Sequence, residues 1–415
     1  MNRFPLPSVA QTLILDLISP IADQETVGLD QALGRILSQG VTAPQDFPYW
    51  DNAAMDGYAM RYEDGARAGI SQPVKLNLRG EVAAGKVPDH PVQPGEAIRI
   101  FTGAMMPGGA DTVVMQEVCR REGDQVWVDQ APQQRGEFVR RRGDYYQAGS
   151  PLLGAGMVLN PAELAILATA QIIEIPVFRR PKVALFSSGN ELIPPDRPLQ
   201  PGQIVDSNRY AIQGFLESQG AEVIVLGIVG DRREELRAVI SQAISQADLV
   251  ISTGGVSVGD YDLIPDLLQE LGGTLAIEKV ASKPGKPLKV AKFANGCVYF
   301  GIPGNPVSAL VSCWRFVQPA LQKLSGLAAP PGPTWINAQT LTELKSDGKR
   351  ETYLWGRLEF GSGTPQFHLA KGSHSSANLI NLGGTNSLAM IPQGQTAIAP
   401  QGSVKVLMQP GFFSV

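Results

Sequence analysis

The feature that most constrains this chain is the alternation of strands and helices between residues 181 and 327. "KVALFSS", "AEVIVLGIV", "DLVIST" and "GCVYFGI" read as strands and are apolar almost throughout. Strands look like this when helices cover both faces of a parallel sheet. "SNRYAIQGFLESQG", "DRREELRAVISQAIS", "DLIPDLLQELG" and "PVSALVSCWRFVQPALQKL" repeat apolar residues at three- and four-residue spacing and read as the intervening helices. The expected fold is a doubly wound α/β domain within a multidomain α/β and β chain. In such sheets, ligands bind outside the carboxyl ends of the strands.

The texture differs on either side. Residues 7–40 read as helical, from "VAQTLILDLI" and "LDQALGRIL". Residues 51–147 carry short alternating runs such as "VKLNLRGEV", "AIRIF" and "QVWVD" between Gly and Pro turns, which predicts an inserted β-rich domain. "NPAELAILATAQ" returns to helix, with Pro161 at its first position. After the linker "AAPPGPT", "ETYLWGRLEF" and "SVKVLM" predict a small C-terminal β domain. The expected division is 1–50 with 148–180 as an elongated helical dimerisation domain, 51–147, 181–327 and 328–415.

Composition narrows the class. A net charge of −4 over 415 residues offers no basic surface for nucleic acid. The three cysteines, Cys119, Cys297 and Cys313, lack metal-site spacing and form no disulfide framework, which fits a reducing, cytoplasmic setting. No run of about 18 apolar residues predicts a membrane span, and the first residues make a poor signal peptide.

The loops after the strands carry the chemistry. "SSGNEL" contributes Glu191, "GDRREEL" contributes Asp231, "TGGVSVGDYD" contributes Gly254, Gly255, Ser257 and Asp262, and "GIPGNPVS" contributes Pro303, Gly304, Asn305 and Pro306. "KVASKPGKPLKV" adds Lys279, Lys283 and Lys286. Glycines let backbone N–H groups approach an anion closely. Carboxylates beside phosphates repel them unless a cation intervenes, so Glu191, Asp231 and Asp262 together point to magnesium. Each feature alone has an ordinary reading: Asp231 as a helix cap, the lysines as a solvated loop. Their gathering at successive strand ends of one sheet outweighs those readings. Outside this domain, "DNAAMDGYAM" holds Asp56, "IFTGAMMPGGADTVVMQE" holds Thr102, and "FVRRRGDYY" holds Arg140–Arg142. On a strand, alternate arginines face one way, so two of the three could grip an anion.

Taken in order, "DNAAMDGYAMR", "IRIFTGAMMPGGADTVVMQE", "VRRRGDYYQAG", "VALFSSGNEL", "STGGVSVGDYD", "KPGKP" and "GIPGNPVSAL" resemble the MoeA family and the E domain of gephyrin. The resemblance covers nearly the whole chain. It implies a MogA-like α/β domain, an elongated helical domain, an inserted β-rich domain and a C-terminal small β-barrel. It also implies a molybdopterin molybdenumtransferase. Such an enzyme inserts molybdenum from molybdate into adenylylated molybdopterin and releases AMP, using magnesium. The expected assembly is a homodimer with its cleft between subunits, served by a MogA-type adenylyltransferase.

By position, Asp56, Thr102, Glu191, Asp231 and Asp262 match catalytic residues of the family, the last three as metal ligands. Arg140, the glycine loop with Ser257, the three lysines and the Pro303–Pro306 loop match substrate ligands. Lys286, Arg357 and Ser373 are the expected molybdate ligands. Three positions depart from the pattern. Tyr145 and Asn190 stand where the family has aspartates, and Trp355 stands where an arginine is expected, which makes Arg357 the candidate two residues on. The alternative function is a non-catalytic, pterin-binding scaffold. A generic nucleotide-binding domain is disfavoured because GxxxxGK[ST] is absent.

Overall fold

The computed structural model of the chain describes residues 4–255, 263–361 and 363–409. The chain forms two compact units. One comprises Met1–Gln39, Ala155–Pro161 and Glu174–Val415, the other Gly40–Gly154 and Ala162–Ile173.

The smaller unit is built on a six-stranded sheet of β1 (Gly57–Met60), β2 (Val74–Val82), β3 (Glu96–Ile100), β4 (Thr112–Met115), β5 (Cys119–Glu122) and β6 (Gln125–Val128), in the order β4-β1-β3-β2-β6-β5. Period-two alternation sends Ala59, Ile98, Ile100 and Val113 to one core and Tyr58, Met60, Ala97 and Val114 to another.

The larger unit begins with helix α1 (Pro7–Leu17), which has Pro7 at its first position. Its main sheet has six strands: β7 (Lys182–Ser188), β8 (Glu222–Val229), β9 (Leu249–Thr253), β10 (Thr274–Lys279), β11 (Pro287–Lys292) and β12 (Val298–Ile302). The order is β8-β7-β9-β12-β11-β10. The first four are parallel, while β11 and β10 run antiparallel at one edge. Helices α2 (Asn208–Ser218), α3 (Arg233–Gln246), α4 (Ile264–Glu270), α5 (Pro306–Ser312) and α6 (Gln318–Leu324) cover the two faces. One face packs Val183, Leu185, Leu249 and Ile251 against α1, α2, α5 and α6, and the other packs Phe186 and Val250 against α3 and α4.

A closed β-barrel follows, made of β13 (Trp335–Thr340), β14 (Glu351–Glu359), β15 (Gln366–Leu369), β16 (Ser387–Ile391) and β17 (Ser403–Met408). The ring closes through pairing of β14 with β16. Leu358, Phe367 and Val406 fill its interior, while Tyr353 and Trp355, on the outer face of β14, join the core of the α/β domain. Between α5 and α6 the chain makes a π-turn, Cys313–Val317. This places the buried Arg315 so that its Nε donates to Tyr353 Oη at 2.9 Å while the guanidinium also reaches Gln11. The barrel, α1 and the α/β domain are thereby joined through one side chain.

Two segment-level expectations are corrected. "LDQALGRIL" is not a helix beyond the short 3-10 turn Leu29–Gln31. The preceding Gln24–Gly28 is a strand, paired antiparallel with Glu174–Phe178, and the ladder buries Val27, Ile175 and Val177. Long-range pairing has overridden a helical period carried by few residues. The second correction concerns the lysine-rich segment, expected as a loop between strands. Its two ends belong to an antiparallel pair, Lys279 closing β10 and residues 287–290 opening β11, whose ladder extends the sheet by two strands.

The foot of the sheet supplies a stability prediction. Asp248 receives Arg179 Nη1 and Nη2 at 2.7 and 2.8 Å and the Lys182 amide at 2.8 Å. Burial alone would raise this carboxyl. The Arg179 hydrogen bonds and the Lys182 amide outweigh it and hold the group below its usual value. A depressed folded value means that the stabilisation is complete above the unfolded value of about 3.9 and vanishes as pH falls through the folded one. Asp248→Asn should therefore cost about 1.5–3 kcal/mol at pH 7. Chemical denaturation at stepped pH should show the gap from wild type closing below about pH 4. A gap constant with pH would refute the assignment.

Candidate functional site

Four loops converge at the carboxyl edge of the parallel strands around a cleft of about 660 Å³. Glu191, Asp231, Gly254, Gly255, Pro303, Gly304, Asn305 and Pro306 all line it, as their places after β7, β8, β9 and β12 require. Ser257 and Asp262 lie outside the described residues.

The floor is set by a residue that sequence reasoning assigned only to a helix start. Asn208, the first residue of α2, is buried, and its Nδ2 donates both to Thr253 Oγ1 and to Gly304 O, each at 2.7 Å. Thr253 Oγ1 in turn donates to Pro303 O at 3.3 Å. One amide thus fixes the glycine loop after β9 against the PGNP loop after β12. The spacing is tight. A Cβ on Gly254, whose φ is +85°, would lie 2.1 Å from Ser188 O at the end of β7. Around this floor the hydroxyls of Ser187 and Ser188 and the Oδ2 of Asp206 are buried without a hydrogen-bond partner among the described residues.

At the rim, Glu191 and Asp231 are both exposed. Asp231 is not the cap of α3, because Arg232 occupies that position. Its carboxylate and its backbone amide instead lace it to the neighbouring loop. The Asn190 amide donates to Asp231 Oδ2 at 3.3 Å, and the Asp231 amide donates to Asn190 Oδ1 at 3.2 Å. An aspartate at position 190 could accept that second bond equally, so this departure leaves the lacing intact.

Among the described residues, none of the three lysines lines the cleft. The ammonium groups of Lys279 and Lys286 lie 5.7 and 5.2 Å from the ring centre of Phe4, and Lys283 pairs with Asp347 at 3.0 Å. Arg357 is exposed on the outer face of β14 and lines a separate hollow of about 320 Å³ with His368, Lys371 and Asn381. Ser373 touches that hollow indirectly, its carbonyl accepting from Asn381 at 2.9 Å. Lys286, Arg357 and Ser373 are therefore not gathered at one point. Trp355, two residues before Arg357 on the same face, is only 1% exposed and packs its ring 4.5 Å from His374. The loop after His374 instead reaches the cleft. Asn305 Nδ2 donates to Ser376 Oγ at 3.0 Å, and Ala377 is a lining residue.

The remaining candidates belong to the smaller unit. Asp56 precedes β1, and its Oδ1 accepts both the amide and the hydroxyl of Thr102, at 2.8 and 2.7 Å. The Thr102 amide, then its hydroxyl, hold the Asp56 carboxyl below its usual value and therefore ionised at neutral pH. The three arginines do not alternate as a strand would place them, because the strand Val139–Arg140 ends at Arg140. Arg141 pairs with Asp51 and Arg142 with Asp46, each at 2.7 Å. Arg140 has a longer contact, 3.5 Å to Asn52 Oδ1, and is the better placed to take an anion. The ring of the exposed Tyr145 stands 5.6 Å from that of Phe47.

Three family models cover almost all of this architecture: the MoeA N-terminal region (domain I and II) matches residues 7–170, the probable molybdopterin binding domain 184–323, and the MoeA C-terminal region (domain IV) 337–408. The chain belongs to the MoeA family. A molybdopterin molybdenumtransferase of Nostoc is 51% identical over 98% of this chain and 94% of its own length. One from Haemophilus influenzae is 37% identical over 85% of this chain and 84% of its own. The crystal structure of the molybdopterin biosynthesis moeA protein of Pyrococcus horikoshii superposes with a TM-score of 0.84 at 29% identity, covering 98% of this chain and 100% of that one. Among the described residues, no helix is long and apolar enough to cross a membrane.

Proposed function

We propose that this MoeA-family chain is a molybdopterin molybdenumtransferase of molybdenum cofactor biosynthesis, inserting molybdenum from molybdate into adenylylated molybdopterin with release of AMP. The observation that carries the reading is the cleft at the strand ends. There two glycine-bearing loops, held together by Asn208, face the carboxylates of Glu191 and Asp231. The glycine loops suit the phosphate of the pterin, since bare backbone can approach it closely.

Magnesium fits this donor set. Magnesium keeps several waters and takes one or two carboxylates, which Glu191 and Asp231 provide, with Asp262 as a further ligand from the resemblance. When bound, the ion supplies charge neutralisation at the phosphoanhydride. Glu191 and Asp231 hold its position, and Lys279, Lys283 and Lys286 offer positive charge for phosphate and molybdate. Arg357 and Lys371, beside His368, bring positive charge to a hollow suited to molybdate, with Glu359 paired to Arg357 at 3.5 Å. Asp56 and Thr102 as catalytic residues, and Arg140 as a substrate ligand, keep the roles that the resemblance implies. Lys286 and Ser373 serve the molybdate, as the resemblance implies.

The reading extends to a cytoplasmic homodimer with the cleft between subunits, supplied by a MogA-type adenylyltransferase. It also keeps the division into domains 1–50 with 148–180, 51–147, 181–327 and 328–415. The relatives named above carry transferase names and lend no support to a non-catalytic scaffold.

The test is AMP release from adenylylated molybdopterin by the purified protein with magnesium, with and without molybdate. Molybdate-dependent release is the expected result. Tight pterin binding without release would overturn the proposal in favour of the scaffold.

A further inference from the structure

The middle of the segment that carries the three lysines is held by the barrel. Ser282–Lys283 forms a short parallel strand on β14, with Ser282 opposite Glu351 and Lys283 opposite Thr352. The Glu351 amide donates to Ala281 O at 3.0 Å, and Arg350 Nη1 donates to Ser282 O at 3.1 Å. These contacts fix the backbone of Lys283 and carry its side chain to the turn before β14. There Asp347 Oδ2 accepts Lys283 Nζ at 3.0 Å, while its Oδ1 accepts the Lys349 amide at 2.9 Å. Asp347 is thus an oriented carboxylate, held at the place where the loop's central ammonium group comes to rest. Its side chain is 33% exposed and that of Lys283 46%, so solvent and an incoming anion can reach both.

We infer that Asp347 is a built-in competitor for the oxyanion that Lys283 binds, so that the substrate anion must displace this carboxylate. The inference rests on the proposed reading of Lys283 as an oxyanion ligand. Two features support competition over simple bracing. The backbone of the lysine strand is already fixed by β14 and Arg350, so it does not need this ion pair. An exposed pair of this kind is also weak enough to exchange, which limits its effect to a few-fold. Asp347 is therefore a positioning residue: it sets where the ammonium waits and how much anion is needed to move it.

The test is the steady-state kinetics of Asp347→Asn, Lys283→Ala and the double variant, varying molybdate at saturating pterin substrate and the reverse. Asparagine keeps the acceptor for the Lys349 amide and removes only the charge. Asp347→Asn should lower one of the two KM values two- to fivefold with kcat within about twofold, the limit set by the weakness of exposed pairs. Whichever KM falls identifies the oxyanion, molybdate or the pterin phosphate. Lys283→Ala should raise that same KM, and the double variant should match Lys283→Ala. The advantage of Asp347→Asn should fade as salt screens the pair. If Lys283→Ala raises a KM but Asp347→Asn lowers neither, the competitor role is wrong and the lysine reading stands. If Lys283→Ala changes neither KM, both are wrong.

Discussion

Asn208→Ala is expected to lower kcat/KM for the pterin substrate by roughly 100-fold and to destabilise the larger unit by about 2–4 kcal/mol. The estimate follows from what the amide does. It supplies both hydrogens to acceptors in two different places, Thr253 Oγ1 at the end of β9 and Gly304 O in the loop after β12. Alanine removes the bond to Thr253 Oγ1, worth about 1 kcal/mol, and leaves Gly304 O, at the base of the cleft, without this donor, at a further 1–3 kcal/mol. The loops then lose their fixed separation, and a displacement near 1 Å in a positioning element can cost about 100-fold in rate. Asn208→Asp makes the sharper comparison. It has nearly the same shape, yet it turns a two-donor group into an acceptor facing the carbonyl of Gly304. It should be at least as damaging as alanine, which separates hydrogen bonding from side-chain volume. Initial rates of AMP release, with urea denaturation of both variants, decide the matter. An Asn208→Asp enzyme with wild-type kcat/KM would show that the two loops do not depend on this amide.

The parts of this site that could be read in advance were those whose cause is local. Strands β7, β8, β9 and β12 announced themselves because burial on both faces makes a continuous apolar run. Once they were placed, the topology fixed where Glu191, Asp231, the glycine loop and the PGNP loop must meet. What escaped has its cause elsewhere in the chain. β10 and β11 mix lysines with apolar residues at a sheet edge, and their identity depends on pairing with each other and with β12. The strand Gln24–Gly28 exists because a partner waits some 150 residues later in the ladder with Glu174–Phe178. Asn208 looked like an ordinary helix start because its acceptors lie at the end of one distant strand and in the loop after another. The lysines were legible as charge, but their resting partners were not: Asp347 sits in the turn before a barrel strand, and Phe4 near the chain's start. The smaller unit divides in the same way. Asp56 and Thr102 stood out as polar residues in tight loops, whereas the use of Arg141 and Arg142 as braces for Asp51 and Asp46 required the fold.

The largest effect is expected at the glycine with which this chemistry begins. Gly254→Ala should abolish measurable turnover and lower stability by about 3–5 kcal/mol, a size reserved for strain and clash at special backbone positions. Two costs combine. At a φ of +85° an L-residue is strained, by roughly 1–2 kcal/mol. In addition, the new Cβ would stand 2.1 Å from the carbonyl oxygen of Ser188, which is backbone and has no rotamer to change. Either the loop after β9 or the end of β7 must move, and β7 leads directly to Glu191. The substitution therefore shifts the carboxylate rim as well as the phosphate loop. Gly272 supplies the control within the same unit. Its φ is also +85°, but a Cβ there would meet nothing within 4 Å. Gly272→Ala should lose only the strain, about 1–2 kcal/mol, and keep its turnover. Thermal unfolding and AMP release measured on the pair would isolate the contact with Ser188. Equal stability losses, or an active Gly254→Ala enzyme, would mean that the two loops can separate without harm. In that case the cleft is not the rigid site that its chemistry requires.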